Sequence, residues 1–131
     1  TDLKTGLREL TGGKGVDVVY DCVGGEYSEA ALRSIAWGGR LLVIGFAAGV
    51  IPKIPLNLYL LKNASAVGVF WGEMIMREPA QHRANMIEVL NWVAQGRLKP
   101  HVHATYPLAR IGEAIDALDK RRVTGKLIVE I

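Results

Sequence analysis

The chain has 131 residues, of which 50% are hydrophobic and 22% are charged, a composition that excludes a disordered protein and allows one domain with a real core. The formal net charge of +3 is compatible with an anionic ligand such as a phosphorylated cofactor, but it is too small and scattered to indicate nucleic acid. Because Cys22 is the only cysteine, the chain can form neither an intrachain disulfide nor a cysteine-based zinc cluster, and we expect a reduced, cytoplasmic setting. We expect neither a signal peptide nor a membrane span, since the apolar stretches are too short.

The first part of the chain predicts alternating helices and strands. Leu3, Leu7 and Leu10 recur at helical spacing behind Asp2, whose side chain suits an N-cap. Glycine pairs are predicted to end the first two helices, and the β-branched run that begins at Val16 is typical of a strand buried on both faces. The elements predicted here are helix 3–10, strand 16–21, helix 27–36, strand 40–46, a short helix at 56–61 and strand 65–71.

The second part begins with the longest predicted helix, from Pro79 to about residue 95, which Gly96 ends. Its apolar positions recur at three- and four-residue steps, as on one helix face: Met86, Leu90, Val93 and Ala94. After Arg97 the pattern changes and predicts strand 101–106, helix 111–120 and strand 126–131. We therefore expect two domains, residues 1–97 and residues 98–131.

This alternation indicates an α/β fold, a partial doubly wound parallel sheet with a C-terminal strand-helix-strand tail. A doubly wound domain should begin with a strand and its phosphate-binding turn, whereas this chain begins with a helix. We therefore expect the front of the sheet to be missing from the sequence.

Candidate ligand-binding positions follow the first three predicted strands. In an open parallel sheet, ligands bind outside the carboxyl ends of the strands. Those ends are residues 21–25, 45–47 and 69–72, and each carries a glycine that would let the backbone approach a ligand closely. The alternative, that the glycines only form strand-to-helix turns, stays open from the pattern alone.

Other chemistries have weaker support. Gly13-Lys14-Gly15 precedes a strand instead of linking a strand to a helix, so it is neither a dinucleotide fingerprint nor a P-loop. His101 and His103 share one face of a predicted strand and lack an evident third metal ligand, which favours surface residues. The lack of a Ser/His/Asp set argues against a hydrolase but not against hydride transfer, in which a cofactor supplies the reactive atom.

Several segments resemble, in order, the C-terminal portion of a known superfamily. Residues 10–21 resemble the segment entering its fourth nucleotide-binding strand, residues 31–40 the helix and turn that follow, residues 41–46 the fifth strand and residues 67–72 the sixth. The C-terminal ending is similar in Leu98-Lys99-Pro100, Tyr106-Pro107-Leu108 and Thr124-Gly125-Lys126. The superfamily is that of medium-chain dehydrogenases/reductases, and the closer resemblance is to the zinc-free, zeta-crystallin-like NADPH:quinone oxidoreductases.

The resemblance implies an architecture larger than this chain. The full enzymes of the family combine an N-terminal GroES-like catalytic domain with a Rossmann domain of strand order 3-2-1-4-5-6. This chain would supply strands four to six, and residues 98–131 would complete the GroES-like domain. Because the glycine-rich turn for the pyrophosphate would lie elsewhere, the isolated chain is expected to be inactive.

The resemblance also implies a cofactor site. The family mechanism is hydride transfer from NADPH, with NADH the less favoured cofactor, to a quinone or enone without zinc. No catalytic residue or proton donor can be assigned. The positions that match cofactor contacts are Gly25, Ile44, Gly45, Phe46, Ala47, Val69, Phe70, Trp71 and Arg121. Among these, Arg121 matches an arginine that binds the adenosine 2′-phosphate in some relatives, although a solvated helix end would suit it equally.

Partners and alternatives complete the interpretation. In relatives the sixth strand pairs with its counterpart, so the resemblance implies a homodimer through the edge strand from Ser65 to Trp71, with a small-molecule substrate and no nucleic-acid or membrane partner. One alternative is a non-catalytic dimerisation or cofactor-binding fragment, and a less favoured one is a methyltransferase-like domain. RNA binding would rest only on the basic isoelectric point.

Overall fold

The structure is a computed structural model that describes residues 2–131. The chain divides into two compact units, the first ending at Met76 and the second beginning at Arg77. The boundary between these two units lies before the longest helix, whereas the domain boundary predicted from the sequence lies near Arg97. The predicted boundary concerns the domains of the whole protein and stays a prediction.

The first unit contains a three-stranded parallel sheet with the strand order β1-β2-β3. Its strands are β1 (Val16–Asp21), β2 (Ile35–Val43) and β3 (Ser65–Gly68), and its helices are α1 (Leu3–Leu10), α2 (Glu26–Arg33), α3 (Asn57–Leu60) and α4 (Trp71–Arg77). The parallel sheet predicted from the alternating pattern is thereby confirmed. The hydrophobic core of this unit is centred on Leu32, Ile35 and Leu58.

Helix α1 begins where the sequence predicts. The carboxylate of Asp2 accepts a hydrogen bond from the backbone N–H of Thr5 at 3.1 Å and another from the Thr5 hydroxyl at 2.7 Å. These bonds satisfy a backbone donor that the first turn of a helix leaves without a partner inside the helix. They also lower the pKa of the Asp2 carboxyl group, because they favour its charged form.

The boundary between α2 and β2 differs from the prediction. The predicted helix 27–36 was to end at a glycine pair, but α2 ends at Arg33 and residues 38–39 lie within β2. The reason is sheet pairing: Val16 N donates to Ser34 O at 3.1 Å, and Ile35 pairs with Val16. Gly15 permits this contact, since a Cβ there would lie 2.5 Å from Ser34 O.

Strand β1 is less buried than predicted. The sequence indicated a strand buried on both faces, but Val18 and Tyr20 are exposed. Within the described residues β1 lies at the edge of the sheet, and an open groove of about 350 Å³ runs along it. The prediction that β1 is buried on both faces is therefore wrong for this chain.

Strands β2 and β3 both end earlier than predicted. The sequence suggested strands to Phe46 and to Trp71, whereas the ladder between β2 and β3 stops at the pair Val43 and Gly68. Beyond Val43 the chain turns towards β1, because Ile44 N donates to Asp21 O at 2.9 Å. Val69 N still donates to Val43 O at 3.0 Å, and Trp71 then begins α4, a helix that the sequence analysis did not predict.

The second unit contains the predicted strand-helix-strand segment. It consists of α5 (Pro79–Ala94), β4 (Val102–Pro107), a short 3-10 helix (Leu108–Arg110), α6 (Ile111–Asp119) and β5 (Lys126–Glu130), and the two strands are parallel neighbours. Gly125, with φ +94°, allows the start of β5 to approach His101, since a Cβ there would clash with His101 O. Within this unit Leu90 and Val93 of α5 are exposed, so the apolar face predicted for that helix is not buried.

Candidate functional site

The carboxyl ends of β1, β2 and β3 lie at one edge of the parallel sheet, as the sequence analysis predicted. We call residues 21–25, 44–50 and 68–70 at this edge the rim loops. Backbone hydrogen bonds join the first two of them: Ala47 N donates to Cys22 O at 3.2 Å, and Ala48 N donates to Val23 O at 2.8 Å. A third bond, from Gly25 N to Val50 O at 3.0 Å, closes the same pair of loops.

The side chain of Asp21 organises the start of the first rim loop. Its Oδ1 accepts hydrogen bonds from the N–H groups of Val23 at 3.0 Å and Gly24 at 2.9 Å, and its Oδ2 accepts one from the Ser28 hydroxyl at 2.5 Å. Partial burial acts to raise the pKa of Asp21, but the hydrogen bonds from Gly24, Ser28 and Val23 together lower it below its ordinary value. The group is therefore a carboxylate at neutral pH.

Two glycines give the first rim loop its shape. Gly24 and Gly25 have φ values of +74° and +61°, a backbone region that residues with a Cβ rarely adopt. A Cβ on Gly24 would also lie 2.8 Å from Cδ1 of Phe46, and one on Gly25 would lie 3.3 Å from Cβ of Ala48. Both glycines thus allow the loops after β1 and β2 to pack closely.

A pocket of about 340 Å³ opens between the ends of β2 and β3. Glycine forms two of its walls: a Cβ on Gly68 would meet no atom within 4 Å, and one on Gly45 would meet Cys22 O at an ordinary 3.7 Å. A side chain at position 68 would therefore project into open space. The lining is otherwise apolar and consists of Val43, Ile44, Phe46, Val69 and Phe70.

An apolar pocket at the carboxyl ends of parallel strands is the usual position of a nucleotide site in an open α/β sheet. The sequence model described as zinc-binding dehydrogenase matches residues 1–129. The chain belongs to the zinc-binding dehydrogenase family. This confirms the resemblance to the C-terminal portion of medium-chain dehydrogenases/reductases of the quinone oxidoreductase type.

Curated members of this dehydrogenase family are similar over almost the whole chain. Quinone oxidoreductase-like protein 2 of Rattus norvegicus is 39% identical over 129 residues, which is 98% of this chain and 37% of that protein. Its homolog in Nematostella vectensis is 37% identical over 98% of this chain and 35% of its own length. The chain thus spans about a third of the length of these relatives.

Solved structures of similar proteins share the fold. A probable oxidoreductase from Mycobacterium abscessus has a TM-score of 0.78 and 31% identity, covering 98% of this chain and 37% of that one. A mycobacterial protein solved in complex with NADPH has a TM-score of 0.80 and 26% identity, covering 98% of this chain and 40% of that one. The α/β, Rossmann-like fold class predicted from the sequence is confirmed.

The dehydrogenase fold gathers part of the predicted site. Five predicted residues line the pocket between β2 and β3, namely Ile44, Gly45, Phe46, Val69 and Phe70. Gly25 lies in the rim loop after β1, Ala47 lies in the rim loop after β2, and Trp71 is the first residue of α4. Arg121 belongs to the second unit, where it follows α6 with φ +51°. Cofactor contacts of all nine residues remain predictions.

Two residues at this edge were not predicted as cofactor contacts. Asp21 entered the prediction only within the candidate range 21–25, and Ser28 did not enter it, yet together they hold the first rim loop through three hydrogen bonds. The available signal was local, since an aspartate two or three residues before a turn commonly accepts hydrogen bonds from the backbone of that turn. The contribution of Ser28 depends on the packing of α2 against the strand end and has no short-range signature.

Across residues 2–131, no three or more histidine, cysteine, aspartate or glutamate side chains come together as a metal site would require. The zinc-free mechanism stays a prediction for the whole protein. In the same residues, no helix combines the length and the apolar character needed to cross a membrane.

Proposed function

We propose that this chain forms the nicotinamide-binding part of an NAD(P)H-dependent oxidoreductase that reduces a quinone or enone without zinc. The relatives are quinone oxidoreductase-like proteins, and one structural neighbour was solved with NADPH. Because the chain spans about a third of the curated relatives, hydride transfer is proposed for the whole protein. The isolated chain is expected to bind cofactor without reducing a quinone.

The observation that carries this proposal is the pocket between the ends of β2 and β3. Gly45 and Gly68 line it together with apolar side chains, and such a lining suits a flat, uncharged ring edge. The residues present therefore fit a nicotinamide group. When bound, the cofactor supplies the hydride, and the protein binds and orients it.

The predicted residues would divide this binding among them. Ile44, Gly45 and Phe46 would form one side of the nicotinamide pocket, with Val69 and Phe70 on the other. Gly25, Ala47 and Trp71 would contact the cofactor beside this pocket. Arg121 would pair with the adenosine 2′-phosphate and favour NADPH over NADH, since a guanidinium group pairs well with phosphate.

The proposed partners follow from the same family membership. A second copy would pair through the edge strand β3, which ends at Gly68 and not at Trp71 as predicted, and Val67 on this strand is exposed. Such an open edge invites pairing with another strand. We also propose a cytoplasmic location.

Membership of a dehydrogenase family favours this function over the methyltransferase-like alternative. The non-catalytic alternative differs from the proposal only in that the whole protein would lack turnover.

Titration of the chain with NADPH, followed by the change in nicotinamide fluorescence, tests the proposal. Gly68→Leu should raise the dissociation constant on the order of tenfold or more, a loss of about 1.4 kcal/mol, because Gly68 lines the pocket and a bulky side chain at this position would compete with the ring for space. Ser65→Leu is the matched control, since it adds the same side chain to an exposed position on the same strand. Absence of saturable binding, or equal binding by wild type and Gly68→Leu, would contradict the proposal.

A further inference from the structure

We propose that Asp21 and Ser28 are positioning residues that set the conformation of the rim loops for the cofactor. This inference rests on the proposed function, because it assumes that the pocket between β2 and β3 is where the nicotinamide binds. It assigns a role to two side chains that do not line that pocket. Their effect passes through the backbone of the loops after β1 and β2.

The Asp21 carboxylate has hydrogen-bond partners at both of its oxygens. Both of its oxygens accept hydrogen bonds, Oδ1 from two consecutive backbone N–H groups and Oδ2 from the hydroxyl of Ser28. Ser28 is only 1% exposed, so it has little access to water as an alternative partner. Hydrogen bonds to a charged acceptor are stronger than neutral ones. The carboxylate therefore holds the turn at Val23 and Gly24 in one geometry.

The turn that the Asp21 side chain holds is connected to the pocket between β2 and β3. The backbone carbonyl of Asp21 accepts hydrogen bonds from Ile44 N at 2.9 Å and Gly45 N at 3.3 Å, which are two residues of the pocket wall. Gly24, whose N–H binds the Asp21 side chain, lies against the ring of Phe46. Asp21 thus fixes one side of the pocket both through its main chain and through the turn that its side chain holds.

The hydrogen bonds of the Asp21 side chain are distinct from the hydrophobic core that stabilises the unit. The side-chain partners of Asp21 are at the edge of the sheet and at the start of α2. The hydrophobic core cluster of Leu32, Ile35 and Leu58 includes neither Asp21 nor these partners. Loss of the carboxylate should therefore loosen the rim loops while the strands below them stay folded.

The experiment compares Asp21→Ala, Asp21→Asn and Ser28→Ala in the 131-residue chain. Amide hydrogen exchange reports on the rim loops at Gly25, Ala47 and Ala48, and NADPH titration reports on the pocket. Asp21→Ala should speed rim exchange on the order of tenfold and weaken NADPH binding to a similar degree, while amides within β2 keep their protection. Asp21→Asn should restore much of both, since its amide oxygen can still accept from Val23 and Gly24.

Asp17→Ala is the matched control, because it removes a carboxylate from the same strand at a side chain that is 72% exposed. The inference is overturned if Asp21→Ala and Asp17→Ala show the same amide exchange rates in the rim loops and the same affinity for NADPH. It is also overturned if Asp21→Ala speeds amide exchange equally in β2 and in the rim loops. Should Asp21→Ala fail to fold, Asp21→Asn and Ser28→Ala decide the matter by the same two measurements. If wild type does not bind NADPH while rim exchange rises as expected, the proposed function fails and the positioning of the loops stands.

Discussion

The ring of Phe46 lies so close to Gly24 that a Cβ on this glycine would come within 2.8 Å of Cδ1 of the ring. The contact joins the loop after β1 to the loop after β2 at the edge where we propose that the cofactor binds. Position 24 therefore requires glycine for two reasons: a Cβ would be too close to the Phe46 ring, and φ is +74°.

Replacement of Gly24 should therefore cost more stability than replacement of a glycine that has only the unusual φ. Gly49 is the control, because its φ is +81° and a Cβ there would meet no atom within 4 Å. We expect Gly49→Ala to lower the free energy of unfolding by about 1–2 kcal/mol through backbone strain, and Gly24→Ala to lower it by at least about 1 kcal/mol more. Urea denaturation followed by circular dichroism measures the free energy of unfolding of both variants. Equal losses would contradict the prediction, because they would mean that the Phe46 ring moves aside at no cost.

The stability of the chain should depend on the ionisation of Asp21 at low pH. Burial opposes the charge, but the hydrogen bonds from Gly24, Ser28 and Val23 outweigh it and hold the pKa below the ordinary 3.8. A carboxyl group with a lowered pKa in the folded state contributes stability that is complete above the unfolded pKa of about 3.9 and is lost as the pH falls through the folded pKa.

Chemical denaturation of wild type and Asp21→Asn at a series of pH values from 7 down to 2 measures this contribution. Wild type should be more stable at neutral pH, by about 1 kcal/mol once solvent screening of a partly exposed group is allowed for, and the difference should shrink as the pH falls through the lowered pKa of the folded state. Asp17→Asn, at an exposed surface position, provides the comparison for a generic loss of charge. A difference that persists unchanged to pH 2 would contradict the assignment.

The proposed dimer makes a prediction about the two edges of the sheet. Val67 on β3 and Val18 on β1 are matched, being 40% and 43% exposed on opposite edge strands. Val67→Lys should weaken dimerisation on the order of tenfold or more, because a charged side chain at an edge disfavours strand pairing, and Val18→Lys should leave it unchanged. Sedimentation velocity over a concentration series distinguishes the two. A monomeric wild type, or dissociation by Val18→Lys instead, would rule out pairing through β3.

Much of the fold could be predicted because its signals are local. The N-cap at Asp2, the β-branched run from Val16 and the proline that begins the long helix each act within a few residues, and each of these three elements begins close to its predicted position. The family resemblance, carried by short segments in a fixed order, was likewise readable without coordinates. Predictions failed where an element ends because of a partner distant in sequence, as at Gly68, where the ladder with β2 stops.

The amino-acid order alone determined that this chain is an alternating α/β segment with glycine-bearing loops after its first three strands. Those features depend on local backbone preferences and on the spacing of apolar residues. Only the tertiary structure decided that Ile35, predicted to be helical, pairs with Val16 in the sheet. It also decided that the hydroxyl of Ser28 donates a hydrogen bond to Asp21, seven residues earlier, at the first rim loop. Such outcomes depend on which backbone groups find hydrogen-bond partners when strands and helices pack, and that competition is settled only in the folded chain.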